Sequence, residues 1–215
     1  MKFLSVLALG LLLSLSTIGQ FKDLVVVEID NKGKVPGKTF QVYVELTNDS
    51  DHVHIIFGDE TSELYLRSTK PFYQNELAGA LSSNLNPQIE ANFDEAKFDT
   101  YLTIGRTNSK NNFISNFNMD LEAFESKGAN ISTINGAWYV TPDNGQAYCS
   151  KGDKHVLIMQ LTSEGEIEAN ISLQGKDHYQ DVWREIDHKF SSNEAISEKE
   201  FLKMRKANVK AFKKK

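Results

Sequence analysis

Apolar and polar residues alternate with period two along several stretches of the chain. In residues 39–46, Phe40, Val42, Val44 and Leu46 fall on one side, and Thr39, Gln41, Tyr43 and Glu45 on the other. Residues 166–173 place Ile167, Ala169, Ile171 and Leu173 inward, with Glu166, Glu168, Asn170 and Ser172 outward. Such alternation predicts strands with one buried face. Residues 154–161 are apolar on both faces in their middle, as a more central strand would be. Thr162-Ser163-Glu164-Gly165 follows, and predicts a hairpin between this strand and the next. Further strands are predicted over 24–29, 53–57, 63–66, 101–104 and 137–141, with Gly-, Asn- and Asp-rich turns between them. Many short strands with frequent turns predict an all-β fold, an antiparallel β-sandwich of jelly-roll-like or related type. Residues 75–98 show no clear period and read as a long loop with a helical turn.

The pattern changes at both ends. Ser197-Glu198-Lys199-Glu200 is a capping box. After it, Phe201, Met204, Ala211 and Phe212 share one helical face, and Lys199, Lys203, Lys206 and Lys210 lie opposite. This predicts a basic amphipathic helix, either docked by its apolar face or drawn to an anionic surface. Residues 1–19 carry Lys2, an apolar run from Phe3 to Leu13, and small residues Thr17 and Gly19 before Gln20. That is the three-part pattern of a secretory signal peptide cut near Gly19-Gln20. The apolar run is shorter than the roughly 20 residues of a transmembrane helix, and no later stretch is long enough. The expected organisation is a leader over 1–19, a β-sandwich over 20–190, and a basic helix and tail over 191–215. The expected destination is the periplasm or the extracellular space.

Charge narrows the partners. The chain has 24 Lys+Arg and 29 Asp+Glu, a net charge of −5. Residues 198–215 hold eight basic and two acidic residues, whereas residues 20–197 hold 15 and 27. An acidic body disfavours nucleic acid, whose phosphates must be neutralised by Lys and Arg. The one cysteine, Cys149, excludes an internal disulfide. It reads as a buried structural thiol, because no base is placed to activate it.

Three groups of residues carry candidate chemistry. His52 and His54 stand two apart on a predicted strand and so face the same way, preceded by Asp49 and Asp51. Two imidazoles with a carboxylate suit Zn²⁺, Cu²⁺ or Ni²⁺, and the carboxylates alone suit Ca²⁺, the ion better matched to an exported β protein. The plain alternative is an acidic turn leading into exposed histidines. Trp138, Tyr139 and Tyr73 are aromatics that would stack on sugar rings if exposed, with core packing as the alternative. Alternation puts Trp138 and Tyr139 on opposite faces. Asp59 and Glu60 offer adjacent carboxylates for glycoside hydrolysis, although adjacency on a strand turns them apart. There is no nucleophile elbow, HExxH motif, P-loop or dinucleotide fingerprint.

Several runs, taken in order, resemble a group of uncharacterised secreted β-rich proteins of bacteria, mainly aquatic ones. They are Phe40-Gln41-Val42-Tyr43-Val44-Glu45-Leu46, Val53-His54-Ile55-Ile56-Phe57-Gly58-Asp59, Phe72-Tyr73-Gln74 and Phe98-Asp99-Thr100-Tyr101-Leu102-Thr103-Ile104-Gly105. Trp138-Tyr139-Val140-Thr141-Pro142, Val156-Leu157-Ile158-Met159-Gln160-Leu161-Thr162 and Ile171-Ser172-Leu173-Gln174-Gly175 complete the set. The resemblance spans residues 38–176 and implies an exported β-rich domain, with no activity, catalytic residue or cofactor attached. The functional expectation is a non-enzymatic binding or adhesion protein for a glycan or a cell-surface protein. A polysaccharide-acting hydrolase using Asp59 or another loop acid, and a subunit docked through its C-terminal helix, are the alternatives.

Overall fold

The computed structural model describes residues 20–149 and 152–214, so the leader expected over 1–19 lies outside the described residues. The chain is mostly β. It runs β1 (Phe21–Ile29), β2 (Lys38–Leu46), β3 (His52–Gly58) and β4 (Leu64–Ser68), then helix α1 (Pro87–Asn92). Strands β5 (Tyr101–Leu102) and β6 (Ser115–Phe117), helix α2 (Leu121–Lys127), and strands β7 (Ile131–Thr133) and β8 (Gly136–Tyr139) follow. The last third is β9 (His155–Ser163), β10 (Ile167–Lys176), β11 (Val182–Ser191), β12 (Ile196–Ser197) and helix α3 (Glu198–Phe212). The aperiodic stretch over 75–98 forms α1 flanked by 3-10 turns, as its lack of strand period suggests.

Two sheets result. The first has the order β12-β1-β2-β9-β5 and is antiparallel except for the β1–β12 pair. In the second, β10 carries β11 on one flank and β3 and β4 on the other. There β3 pairs with residues 172–176 and β4 with 167–170, and β8 and β7 extend the sheet outward from them. One hydrophobic core draws on both sheets. Phe40, Val42, Val44 and Leu46 of β2 enter it, as do Ile167, Ala169, Ile171 and Leu173 of β10, the faces that alternation assigns inward. Burying each of the larger of these side chains, Ala169 apart, stabilises by about 1.5–3 kcal/mol.

The predicted β9–β10 hairpin does not form. β9 pairs with β2 and β5 in the first sheet, and β10 with β3, β4 and β11 in the second. The turn at Gly165 therefore carries the chain from one sheet to the other. Ser163 secures the crossing: its Oγ accepts from the Gly165 N–H at 3.0 Å and donates to the Lys70 and Pro71 carbonyls at 3.1 Å each. A short Gly turn between two strands fits either a hairpin or a crossing. The choice falls to β9, whose residues are buried on both faces and need cover on both.

Over the start of β9 that second cover is α3, whose Phe201 ring lies 5.0 Å from His155. Over its end it is the backbone of residues 97–99, which accepts from Gln160 and Thr162. Phe201 packs with Val25 and Val27 of β1 in a small separate core, and its ring lies 4.4 Å from that of Tyr43. Ser197 caps the helix by accepting the Glu200 N–H, as the capping box predicts. The docking face is not the one the apolar stripe suggests: Met204 and Phe212 are 37% and 44% exposed. Phe201 is instead joined by Arg205 and Asn208, which reach Asp153 ahead of β9. Among the described residues no helix is long and apolar enough to cross a membrane.

Candidate functional site

The Asp49–His54 cluster separates into three local arrangements. Asp49 accepts the Gly152 N–H at 2.9 Å. Asp51 is fully buried, and its carboxylate accepts the backbone N–H groups of His178 at 3.0 Å and Asn48 at 3.2 Å, with His178 Nδ1 at 3.3 Å. His52 and His54 do lie side by side, with ring centroids 5.4 Å apart, as their spacing predicts. They are not exposed: their relative accessibilities are 0% and 2%, and Tyr148 stacks 4.3 Å from His52. Both nitrogens of His52 and Nδ1 of His54 lack a partner. Burial, then the neighbouring His54 and Lys176, pulls His52 down to about 4. Burial, then Lys176, also lowers His54. The two rings are thus neutral near pH 7. Asp49 and Asp51 are committed to other partners, and no group of three or more His, Cys, Asp or Glu gathers as a metal needs among the described residues.

Cys149 sits in the same region. Its thiol donates weakly to the Asp49 carbonyl at 3.2 Å, and burial pushes it up to about 12. A neutral thiol is a poor nucleophile. Native protein at pH 8 is therefore expected to leave Cys149 unmodified by an aromatic disulfide reagent, with full reaction in denaturant. Rapid labelling of the native chain would contradict this placement.

The three predicted ligand aromatics do not share a surface. Trp138 pairs with Ile56, is fully buried in the core, and donates its indole N–H to the Thr103 carbonyl at 3.1 Å. It cannot meet an external ring, because packing already occupies it. Tyr73 belongs to the other sheet's side, where its N–H donates to the Thr162 carbonyl at the end of β9 and its hydroxyl accepts from Asn75. Tyr139 alone faces outward from the second sheet.

Around Tyr139 the pairing registers build an exterior face that single strands do not reveal. One cross-strand row runs Arg184, Gln174, Ile55, Tyr139 and Ser115. The next holds Phe57, Ala137 and Phe117, and a further one Asn170, Tyr65 and Ser132. The Arg184 guanidinium lies 4.5 Å over the Phe57 ring and Arg67 lies 4.1 Å over Tyr65. Ile55, Phe57, Tyr65 and Tyr139 are half-buried, and Phe117 is 58% exposed. Aromatic planes, backed by the sheet and interleaved with amide and hydroxyl groups, offer stacking and hydrogen bonding together. Sequence reading missed Phe57, Tyr65 and Phe117. The signal available to it was the outward phase of β3, β4 and β8, but their mutual register lay beyond it.

Asp59 lies at the rim. Hydrogen bonds from the Thr61 hydroxyl and amide, then from Ser62, with Arg184 paired alongside, hold it below the usual carboxylate range. A carboxyl held ionised in this way is the opposite of a general acid, whose pKa must be raised.

Elsewhere, Asp153 is buried between His155 and Arg205. Burial opposes its ionisation. Hydrogen bonds from His155 and Arg205, together with their charges, win and hold it below its ordinary range. This triad anchors α3.

No protein-family model, curated protein or solved structure matches the chain.

Proposed function

We propose that this chain is an exported, non-enzymatic binding protein, a jelly-roll-like β-sandwich that holds a glycan chain on the outer face of its larger sheet. One observation carries the reading: Ile55, Phe57, Tyr65, Tyr139 and Phe117 fall in adjacent cross-strand rows on a face that polar Gln174, Ser115 and Ser132 interleave. The leader pattern at 1–19 and the resemblance to secreted bacterial proteins support export. The ionised state of Asp59 weighs against its use as the general acid of a hydrolase.

The test is calorimetric titration of the chain with soluble polysaccharides chosen from a glycan array. Tyr139→Ala and Tyr65→Ala are each expected to weaken binding about tenfold or more, the usual cost of removing an aromatic anchor. Neither change opens the core, because both rings face outward. Wild-type protein that binds no glycan on the array, or binding unaffected by both changes, overturns the reading.

A further inference from the structure

Asp99, immediately before β5, lies where residues 73–79 and α2 converge. It is fully buried. Its Oδ1 accepts the Asn75 N–H at 2.7 Å, and the amides of Gly79 and Thr100 also donate to the carboxylate. Gln74, next to Asn75, donates its Nε2 to the Phe124 carbonyl of α2 at 3.1 Å. Two consecutive residues thus bridge Asp99 to the turn of α2 that carries Glu125. The Glu125 charge is close enough to act on Asp99.

Each of these three linked residues has an oxygen that is buried without a hydrogen-bond donor: Asp99 Oδ2, Glu125 Oε2 and Gln74 Oε1. They come from three separate segments, and an unpaired buried acceptor is costly. Burial raises both carboxyls, and the Glu125 charge adds to the rise at Asp99, against its backbone hydrogen bonds; Asp99 reaches about 8. The common requirement is positive charge. One shared proton would join two of the oxygens and leave the third unpaired, whereas a cation meets all three. Oxygen-only ligands select a hard cation. Ca²⁺ accepts carboxylates and amide carbonyls in flexible geometry, while Mg²⁺ keeps most of its water. Gln74 and Glu125 are only half-buried, which leaves a side open for entry and for water ligands.

We propose that Asp99, Glu125 and Gln74 form a Ca²⁺ site that ties residues 73–79 and α2 to the start of β5. It is separate from the Asp49–His54 cluster and independent of glycan binding.

The full chain, stripped with EDTA and dialysed, is titrated with CaCl₂ in a calorimeter and followed by thermal unfolding. The expected result is binding of one ion per chain and a rise in Tm of roughly 5–10 °C at saturating Ca²⁺, reversed by EDTA. Asp99→Asn and Glu125→Gln are expected to abolish both binding heat and the rise, while Asp49→Asn keeps both. Glu125→Gln alters a half-exposed side chain, so its unfolding in EDTA serves to show that the fold is retained. Wild-type protein without binding heat, or variants that bind as wild type does, would overturn the proposal.

Discussion

Between pH 6.5 and pH 4 the folded chain is expected to lose about 3 kcal/mol of stability through His52 alone. The imidazole is fully buried, its ring nitrogens have no acceptor or donor, and its folded pKa is drawn down to about 4. In the unfolded chain the group titrates near 6.5. The unfolded state therefore binds the proton first, so the stabilisation is complete above pH 6.5 and drains away as the pH falls toward 4. His54, 5.4 Å away and also lowered, adds to the loss in the same direction. Urea midpoints at pH 7 and pH 4.5 measure it. A His52→Leu/His54→Leu chain, which keeps the volume and removes the titration, is expected to show a much flatter pH dependence. Equal slopes for the two proteins would show that other groups govern the acid transition.

Arg205→Ala is expected to cost about 2–3 kcal/mol. Breaking a buried pair by removing one partner typically costs 3–5 kcal/mol, and the 37% exposure of the Arg205 side chain softens that figure. The loss comes mostly from what stays behind. Asp153, with its side chain only 5% exposed, would keep a charge balanced only by its hydrogen bond to His155. Arg205 Nε donates to both Asp153 oxygens at 2.9 Å, so Arg205→Lys keeps the charge without this fork and should recover only part of the loss. In the double change Arg205→Ala/Asp153→Asn the stranded charge is gone, and the combined cost should fall below the sum of the single ones. Urea unfolding reads the stability, and tryptic cleavage within α3 reads its undocking. A variant with wild-type midpoint and equal protection of α3 would mean that Phe201 alone holds the helix.

Local chemistry was legible where one strand or helix carries the whole signal. Alternation in residues 39–46 and 166–173 marks the core faces of β2 and β10, because each side chain's face follows from backbone period alone. The capping box at Ser197 marks the start of α3 for the same local reason. β11 escaped such reading. Its inward positions Trp183, Glu185, His188 and Phe190 change phase at a bulge, where Asp187 adopts φ of 63°, and its outer side is exposed. A phase break erases period-two alternation. Asn170 and Ser172 point outward as alternation requires, yet both are buried, because Ser62 and Glu63 fold over Asn170 and the β11 bulge approaches Ser172.

By itself, then, the sequence determined the strand faces, the turn positions, the C-terminal helix and its cap, and the adjacency of His52 and His54. Each of these depends on residues a few positions apart. Only the tertiary structure decided that the Gly165 turn crosses between sheets and that Trp138 faces inward while Tyr139 faces out. It alone brought Phe57, Tyr65 and Tyr139 onto one surface and gathered Asp99, Gln74 and Glu125 from segments 25 and 26 positions apart. The physical reason is common to all of them. Which strands pair, and in what register, is set by the burial of whole faces against one another, and no local period encodes that choice.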